Sequence, residues 1–450
     1  MSEDRTLLLE REDTGKLLLK YAFPAIVAMI AASLYHIVDS IFIGQKLGAL
    51  AISGLALTFP LMNLAAAFGS LVGVGGAAVM SIRLGEKDIE SAKMVLGNVV
   101  ILNLIIGIGL TLLILPFLTE VLYMFGGSDA TIGFAREFMF IILSGNVLTT
   151  LYLGLNALLR SSGYPSLAMF VTLFSVVLNI ILLTLFIIIL DWGIAGAAWA
   201  TIIAQFVALV CLIFIFMRTN KVIHFTKDIF KLKKKIVRDI FAIGMSPFLM
   251  NLAATGVVIL INHSLRKYGG DLAIGAYGII NRVAFLFVMV VLGITQGMQP
   301  IVGYNYGAKR YDRVLEVLKK GTIMGVITMI IAFLSVELFP LTISKAFTSD
   351  QELIDIASKG FRIVFILFPI VGFQIVCSNF FQSIGKAKKA IFLSLVRQVI
   401  VLIPLLVILP YFWGVQGVWL SMPLSDLVAT IITAILITRE IKILKSQTLI

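Results

Sequence analysis

A single shift of 222 residues lays the second half of this chain over the first. It carries Ala51-Ile52 onto Ala273-Ile274, Gly85-Glu86-Lys87 onto Gly307-Ala308-Lys309, Phe125 onto Phe347, and Ser161-Ser162-Gly163 onto Ser383-Ile384-Gly385. A register kept over that length marks an internal duplication and restricts the chain to folds built from two similar halves. Both halves are oily. Hydrophobic residues make up 60% of the 450 and charged residues 13%, with a mean hydropathy of +1.06. A soluble domain carries about a quarter charged residues, so this chain has too little polar surface to coat a water-soluble particle. Apolar stretches of about 20 residues or more, enough to cross a bilayer core, recur along its length. The chain reads as an all-α polytopic membrane protein with almost no soluble domain, of the kind in which one half moves against the other around a central site.

Apolar runs and their breaks give about twelve spanning helices. Six lie near 17–43, 52–80, 92–116, 133–159, 166–190 and 194–217, and six near 240–265, 274–302, 314–339, 356–381, 390–409 and 415–437. The expected organisation is an N-lobe of residues 1–217, a basic linker of 218–238 and a C-lobe of 239–450. The linker holds Arg218, Lys221, Lys227, Lys231, Lys233, Lys234, Lys235 and Arg238 against one acid, Asp228. Cations also crowd the links after the second span (Arg83, Lys87, Lys93), the eighth (Lys309, Arg310, Arg313, Lys319, Lys320) and the tenth (Lys386, Lys388, Lys389), and follow the twelfth. The positive-inside rule then puts both termini in the cytoplasm of a cell membrane protein. Six spans per repeat make the repeats parallel, related by a pseudo-two-fold axis along the membrane normal, with a central cleft on that axis. The net charge of +12 faces anionic lipid headgroups in this setting, not nucleic acid. The mixed-sign first residues show no removable signal peptide. Cys211 and Cys377 lie inside apolar runs and read as small core residues, without a disulfide or metal site.

No enzyme, nucleotide or cofactor signature stands out. There is no GxxxxGK[ST] or HExxH pattern, and Gly73-Val74-Gly75-Gly76 lies in an apolar helix where close packing explains it. Work must then be driven by an ion gradient, the membrane potential or the solute's own gradient. Ionisable residues inside spans are the functional candidates, because each costs roughly 2.5–3.5 kcal/mol at the bilayer centre. Asp39, deep in the first run, is the clearest: a carboxylate there can trade a proton for a cation. His36 shares its helix face and reads first as a hydrogen-bonded structural histidine, second as a proton relay. The second half carries Arg282, Arg362 and Arg397 as intramembrane cations and Asp426 as its one deep acid. Arg397 and Asp426 are candidates to pair, and with Gln296 and Gln299 they are possible pathway residues. Asn179 and Thr201 are polar without charge and either glue helices or face a wet cavity.

These residues resemble the MATE (multidrug and toxic compound extrusion) family, in its MepA-like bacterial branch. The resemblance rests on Val38-Asp39-Ser40-Ile41-Phe42-Ile43-Gly44, Leu158-Leu159-Arg160-Ser161-Ser162-Gly163, Leu178-Asn179-Ile180-Ile181-Leu182 and Gly193-Ile194-Ala195-Gly196-Ala197-Ala198-Trp199-Ala200-Thr201. In the second half it rests on Ala276-Tyr277-Gly278-Ile279-Ile280-Asn281-Arg282, on Gly297-Met298-Gln299-Pro300-Ile301-Val302-Gly303-Tyr304-Asn305-Tyr306-Gly307-Ala308, and on Arg397-Gln398 before Pro404. It implies a monomeric antiporter that exports bulky amphipathic organic cations in exchange for protons, or sodium. It also implies a cation site on Asp39, Asn179 and Thr201. Leu183-Thr184 stands where many relatives have Asp-Pro, so a second carboxylate is missing and coupling leans on Asp39, with His36 beside it. Two other readings stay open: a flippase for lipid-linked substrates, with Arg282, Arg362 and Arg397 meeting phosphate, and a membrane receptor or scaffold that transports nothing.

Overall fold

The computed structural model describes residues 8–218 and 222–448, without the side chains at 35–37, 41, 49, 227 and 271. The described residues are mostly helical, joined by short turns and links, with no strand among them. We number the main helices α1 (Thr14–Leu47), α2 (Ala49–Gly85), α3 (Ile89–Ile114), α4 (Ile132–Ser144), α5 (Asn146–Ser161), α6 (Pro165–Leu183) and α7 (Gly193–Met217). Next come α8 (Lys234–Gly270) and α9 (Leu272–Gly307), then α10 (Tyr311–Leu338), α11 (Gln351–Phe365), α12 (Phe368–Ser383), α13 (Ala387–Leu395) and α14 (Ile403–Thr448).

Among the described residues, nine stretches are long and apolar enough to cross a membrane, and the pairs α4–α5 and α11–α12, bent by 55° and 53°, bring the number to eleven. The last stretch, Ala387–Thr448, is 62 residues long. At about 1.5 Å per residue that is some three times a bilayer core. It reverses at Gly414, whose φ of 54° and ψ of −133° are not helical. Counting it as two passes gives the twelve spans expected from hydropathy. The chain is a multi-pass membrane protein.

The backbone repeats the 222-residue register. Left-handed φ angles occur at Gly48 and Gly270, at Lys87 and Lys309, and at Gly163 and Gly385, each pair 222 apart. Both bent spans are the fourth of their repeat. Both fifth spans contain a wide π turn, Thr184–Ile189 and Val396–Leu402.

Two compact units emerge from the packing. Of the described residues, one unit joins 8–11 with 27–248; the other joins 12–26 with 249–448. The start of α8 therefore belongs with α2, and the start of α1 with α9. Glycines make these contacts. A Cβ on Gly75 would stand 2.3 Å from the Ile240 carbonyl oxygen, and one on Gly297 would stand 2.5 Å from Ala22 Cα. Gly73 meets Gly154 of α5 and Gly76 meets Val99 of α3, so the glycine-rich stretch serves helix packing, as the sequence implied.

The basic linker is seated on α3. Asn98 Nδ2 donates to the Lys231 carbonyl at 3.1 Å and its Oδ1 accepts from Lys233 N at 3.0 Å. Ile223 and Ile229 are buried, while Lys231, Lys233, Lys234 and Lys235 stay exposed. In the neighbouring turn Asp88 caps α3, accepting from Ser91 N at 3.0 Å. The Ser91 hydroxyl and backbone N–H together hold its carboxyl below the usual 3.8. Asp88→Ala should cost about 1 kcal/mol, read as a lower melting temperature in detergent. Because the folded pKa is depressed, the difference should be full at neutral pH and vanish as pH falls through that pKa.

Candidate functional site

The apolar core of the first unit fixes the depth of three polar side chains. Ile43 of α1, Leu183 of α6, and Ala197, Ala198, Ala200 and Ile202 of α7 belong to one buried cluster. Asp39 lies one turn before Ile43, Asn179 one turn before Leu183, and Thr201 one turn after Ala197. Four-residue spacing keeps each pair on one helix face. The first and fifth spans run one way and the sixth runs back, so all three polar groups fall on the same side of the apolar layer. An exposed salt bridge of 3.3 Å links Lys46, at the far end of α1, to Asp191 in the link between α6 and α7.

Asp39 is 7% exposed, Asn179 2% and Thr201 5%. The Thr201 hydroxyl donates to the Ala197 carbonyl at 3.0 Å and accepts from Asn179 Nδ2 at 3.5 Å. That leaves Asn179 Oδ1 buried with no donor among the described residues. A buried acceptor without a partner is costly, and it is the chemistry that receives a protonated carboxyl or the donor of a bound cation. His36 falls among the positions whose side chains lie outside the described residues.

Sequence reading missed the polar groups around this layer. One turn from Thr201, Gln205 accepts a short hydrogen bond from Thr149 of α5. Further along, the Tyr152 hydroxyl and Asn156 Nδ2 both reach Thr172, at 3.4 Å and 3.2 Å. The available signal was periodic: Thr201 with Gln205, and Tyr152 with Asn156, are spaced by four along their helices.

In the second unit Arg397 and Asp426 meet, Nε to Oδ1 at 2.5 Å, with the carboxyl 5% exposed. The other arginines do not behave as buried cations. Arg282 is exposed, and Arg362 has 62% of its side chain exposed while lying 3.8 Å from Glu337. Gln299 is buried and Gln296 half-buried, three residues apart on one face of α9.

A two-repeat, multi-pass helical membrane protein that buries carboxyl, amide and hydroxyl groups within its spans fits the class of membrane transporters. The chain is a member of the MatE family, whose model matches residues 24–185 and 247–408, once per repeat. It is 25% identical over 427 residues to the multidrug export protein MepA of Staphylococcus aureus, covering 95% of this chain and 94% of that one. The MepA of Staphylococcus saprophyticus is also 25% identical, over 439 residues, with 97% and 96% covered. Its fold matches that of an outward-facing multidrug resistance MATE family transporter of the MOP superfamily. The TM-score is 0.92 at 23% identity, covering 97% of this chain and 98% of the other. MATE proteins are transporters and not an enzyme family.

Proposed function

We propose that the protein is a proton-driven antiporter that exports amphipathic organic cations from the cell by alternating access, with both termini in the cytoplasm. The observation that carries this reading is the layer formed by Asp39, Asn179 and Thr201. A buried carboxylate attracts either a proton or an organic cation, and the two compete for one negative charge. Binding of one displaces the other, which is the requirement for exchange. The free Asn179 Oδ1 is placed to accept from whichever form carries a donor. A proton needs one carboxylate, whereas sodium wants several oxygen ligands, and the second acid of many relatives is replaced here by Leu183-Thr184.

The export of drugs by the MepA proteins supports the substrate class. For the flippase alternative, Arg362 and Arg397 each lie beside an acid, Glu337 and Asp426, which leaves Arg282 as the arginine to meet a phosphate. No resident cofactor is called for, and a monomer with lipid around it suffices. The test is transport by the purified protein in lipid vesicles. An imposed pH gradient should drive ethidium across the membrane, with protons moving the other way. Ethidium movement that follows a sodium gradient, and ignores a pH gradient, would replace the proton by sodium. Movement that ignores both would reject antiport.

A further inference from the structure

We propose that Asp426 is a second proton-exchanging carboxyl, freed to protonate when the π turn carrying Arg397 tightens. This deepens the proton-antiport reading and rests on it. The 222-residue register shows that the centre is new to the second half. Arg397, Gln398, Asp426 and Thr430 correspond to Ser175, Val176, Ala204 and Ala208, while Asp39, Asn179 and Thr201 correspond to Ile261, Val401 and Pro423. Each repeat thus places its own polar centre on its fifth and sixth spans. The second is built from different positions and carries charge of both signs.

Its geometry is that of a pair held by a deformable element. Arg397 lies in the π turn Val396–Leu402, and Ser425 donates to the Arg397 carbonyl at 2.5 Å. Pro404 follows the turn and lacks the N–H that would bond Ile400 in an α-helix, which favours the wide turn. π turns concentrate at functional sites. Relaxing one to α-helix removes a one-residue insertion and rotates the helix on one side of it by about 100°. Such a rotation carries the guanidinium away from Asp426. Two further atoms have no role in a structural ion pair: Gln398 Oε1 and the Thr430 hydroxyl are buried without a hydrogen-bond partner among the described residues. Thr430 lies one turn beyond Asp426, so the carboxyl has unpaired polar neighbours ready to hold its acid form or a water.

Arg397 is the charged group that acts on Asp426. On the helices packed against it, Arg362 lies near Glu337, Lys389 pairs with Glu440 and Lys320 with Glu316, Glu352, Asp355 and Lys359 are exposed, and Cys377 is a buried thiol. A guanidinium on one carboxylate oxygen repels a metal cation, so the ion that fits is a proton. Taken from the aqueous phase, the proton bonds to a carboxylate oxygen of Asp426. Arg397 keeps its own proton, and the site gains one positive charge.

The experiment counts protons entering per ethidium exported in vesicles, using the full chain. Asp426→Asn alone leaves Arg397 uncompensated and risks misfolding. The informative variant is Arg397→Gln with Asp426→Asn, which removes both charges together. The wild type should move about two protons per ethidium and the double variant about one, with a shifted pH profile. A double variant that is folded by gel filtration, binds ethidium and keeps the wild-type ratio and pH profile would overturn the inference while leaving Asp39 in place. Ethidium movement by the wild type that ignores the pH gradient would instead overturn the antiport reading, and proton-coupled export that survives Asp39→Asn would remove Asp39 from it.

Discussion

Asp39→Asn should abolish gradient-driven ethidium export while the protein folds normally. The substitution keeps the volume and shape of the side chain and removes its ability to alternate between charged and neutral forms. Asp39 is buried, as are Asn179 and Thr201, and in the proposed layer it is the group that can carry the exchanged charge. A buried charge costs roughly 2.5–3.5 kcal/mol at mid-membrane, and the variant no longer bears it. Its melting temperature in detergent should therefore stay level or rise. The combination of lost transport and undiminished stability distinguishes an exchange site from a structural acid, whose removal would lower both. Transport in vesicles under an imposed pH gradient should fall to that of protein-free vesicles. Retained substrate-stimulated proton exchange would remove Asp39 from the mechanism. Asp39→Glu keeps the exchangeable proton but displaces it by one methylene, and should retain a measurable fraction of transport.

Most of the fold was legible because both of its generators are linear patterns. Hydropathy marks spans, and the 222-residue register reappears in the backbone as left-handed residues at Lys87 with Lys309 and at Gly163 with Gly385. The bends within the fourth spans and the π turns within the fifth were not legible. Phe186 and Ile187, in the first π turn, are as apolar as residues of an ordinary helix, and the extra residue leaves no mark in composition. Around the site, Arg397 and Asp426 paired because opposite charges in an apolar core have little else to meet. The grouping of Asp39 with Asn179 and Thr201 came from family resemblance and gained a physical basis only from the apolar layer they share. Gln205, Tyr152 and Thr172 escaped notice because each is a single polar residue in an oily run, and only the packing brings them together.

Gly244→Leu should be the most damaging single change on α8. A Cβ there would stand 1.8 Å from the Leu71 carbonyl oxygen and 2.7 Å from its carbonyl carbon. Both are backbone atoms of α2, so no side-chain rotation relieves the clash, and the two helices must separate. Overpacking of a core commonly costs about 1–3 kcal/mol, and here the relief requires moving a whole helix, so the loss should reach or pass the upper figure. Even Gly244→Ala already carries the offending Cβ and should lower folded yield and melting temperature. Gly256, twelve residues further along the same helix, has nothing within 4 Å of a would-be Cβ. Gly256→Ala should then stabilise by roughly 0.5–1 kcal/mol through helix propensity alone. Melting curves of the two alanine variants, measured side by side in detergent, should move in opposite directions. A shift of the same sign in both would mean that the close approach of α2 and α8 does not govern stability, and that glycine at 244 answers only to backbone flexibility.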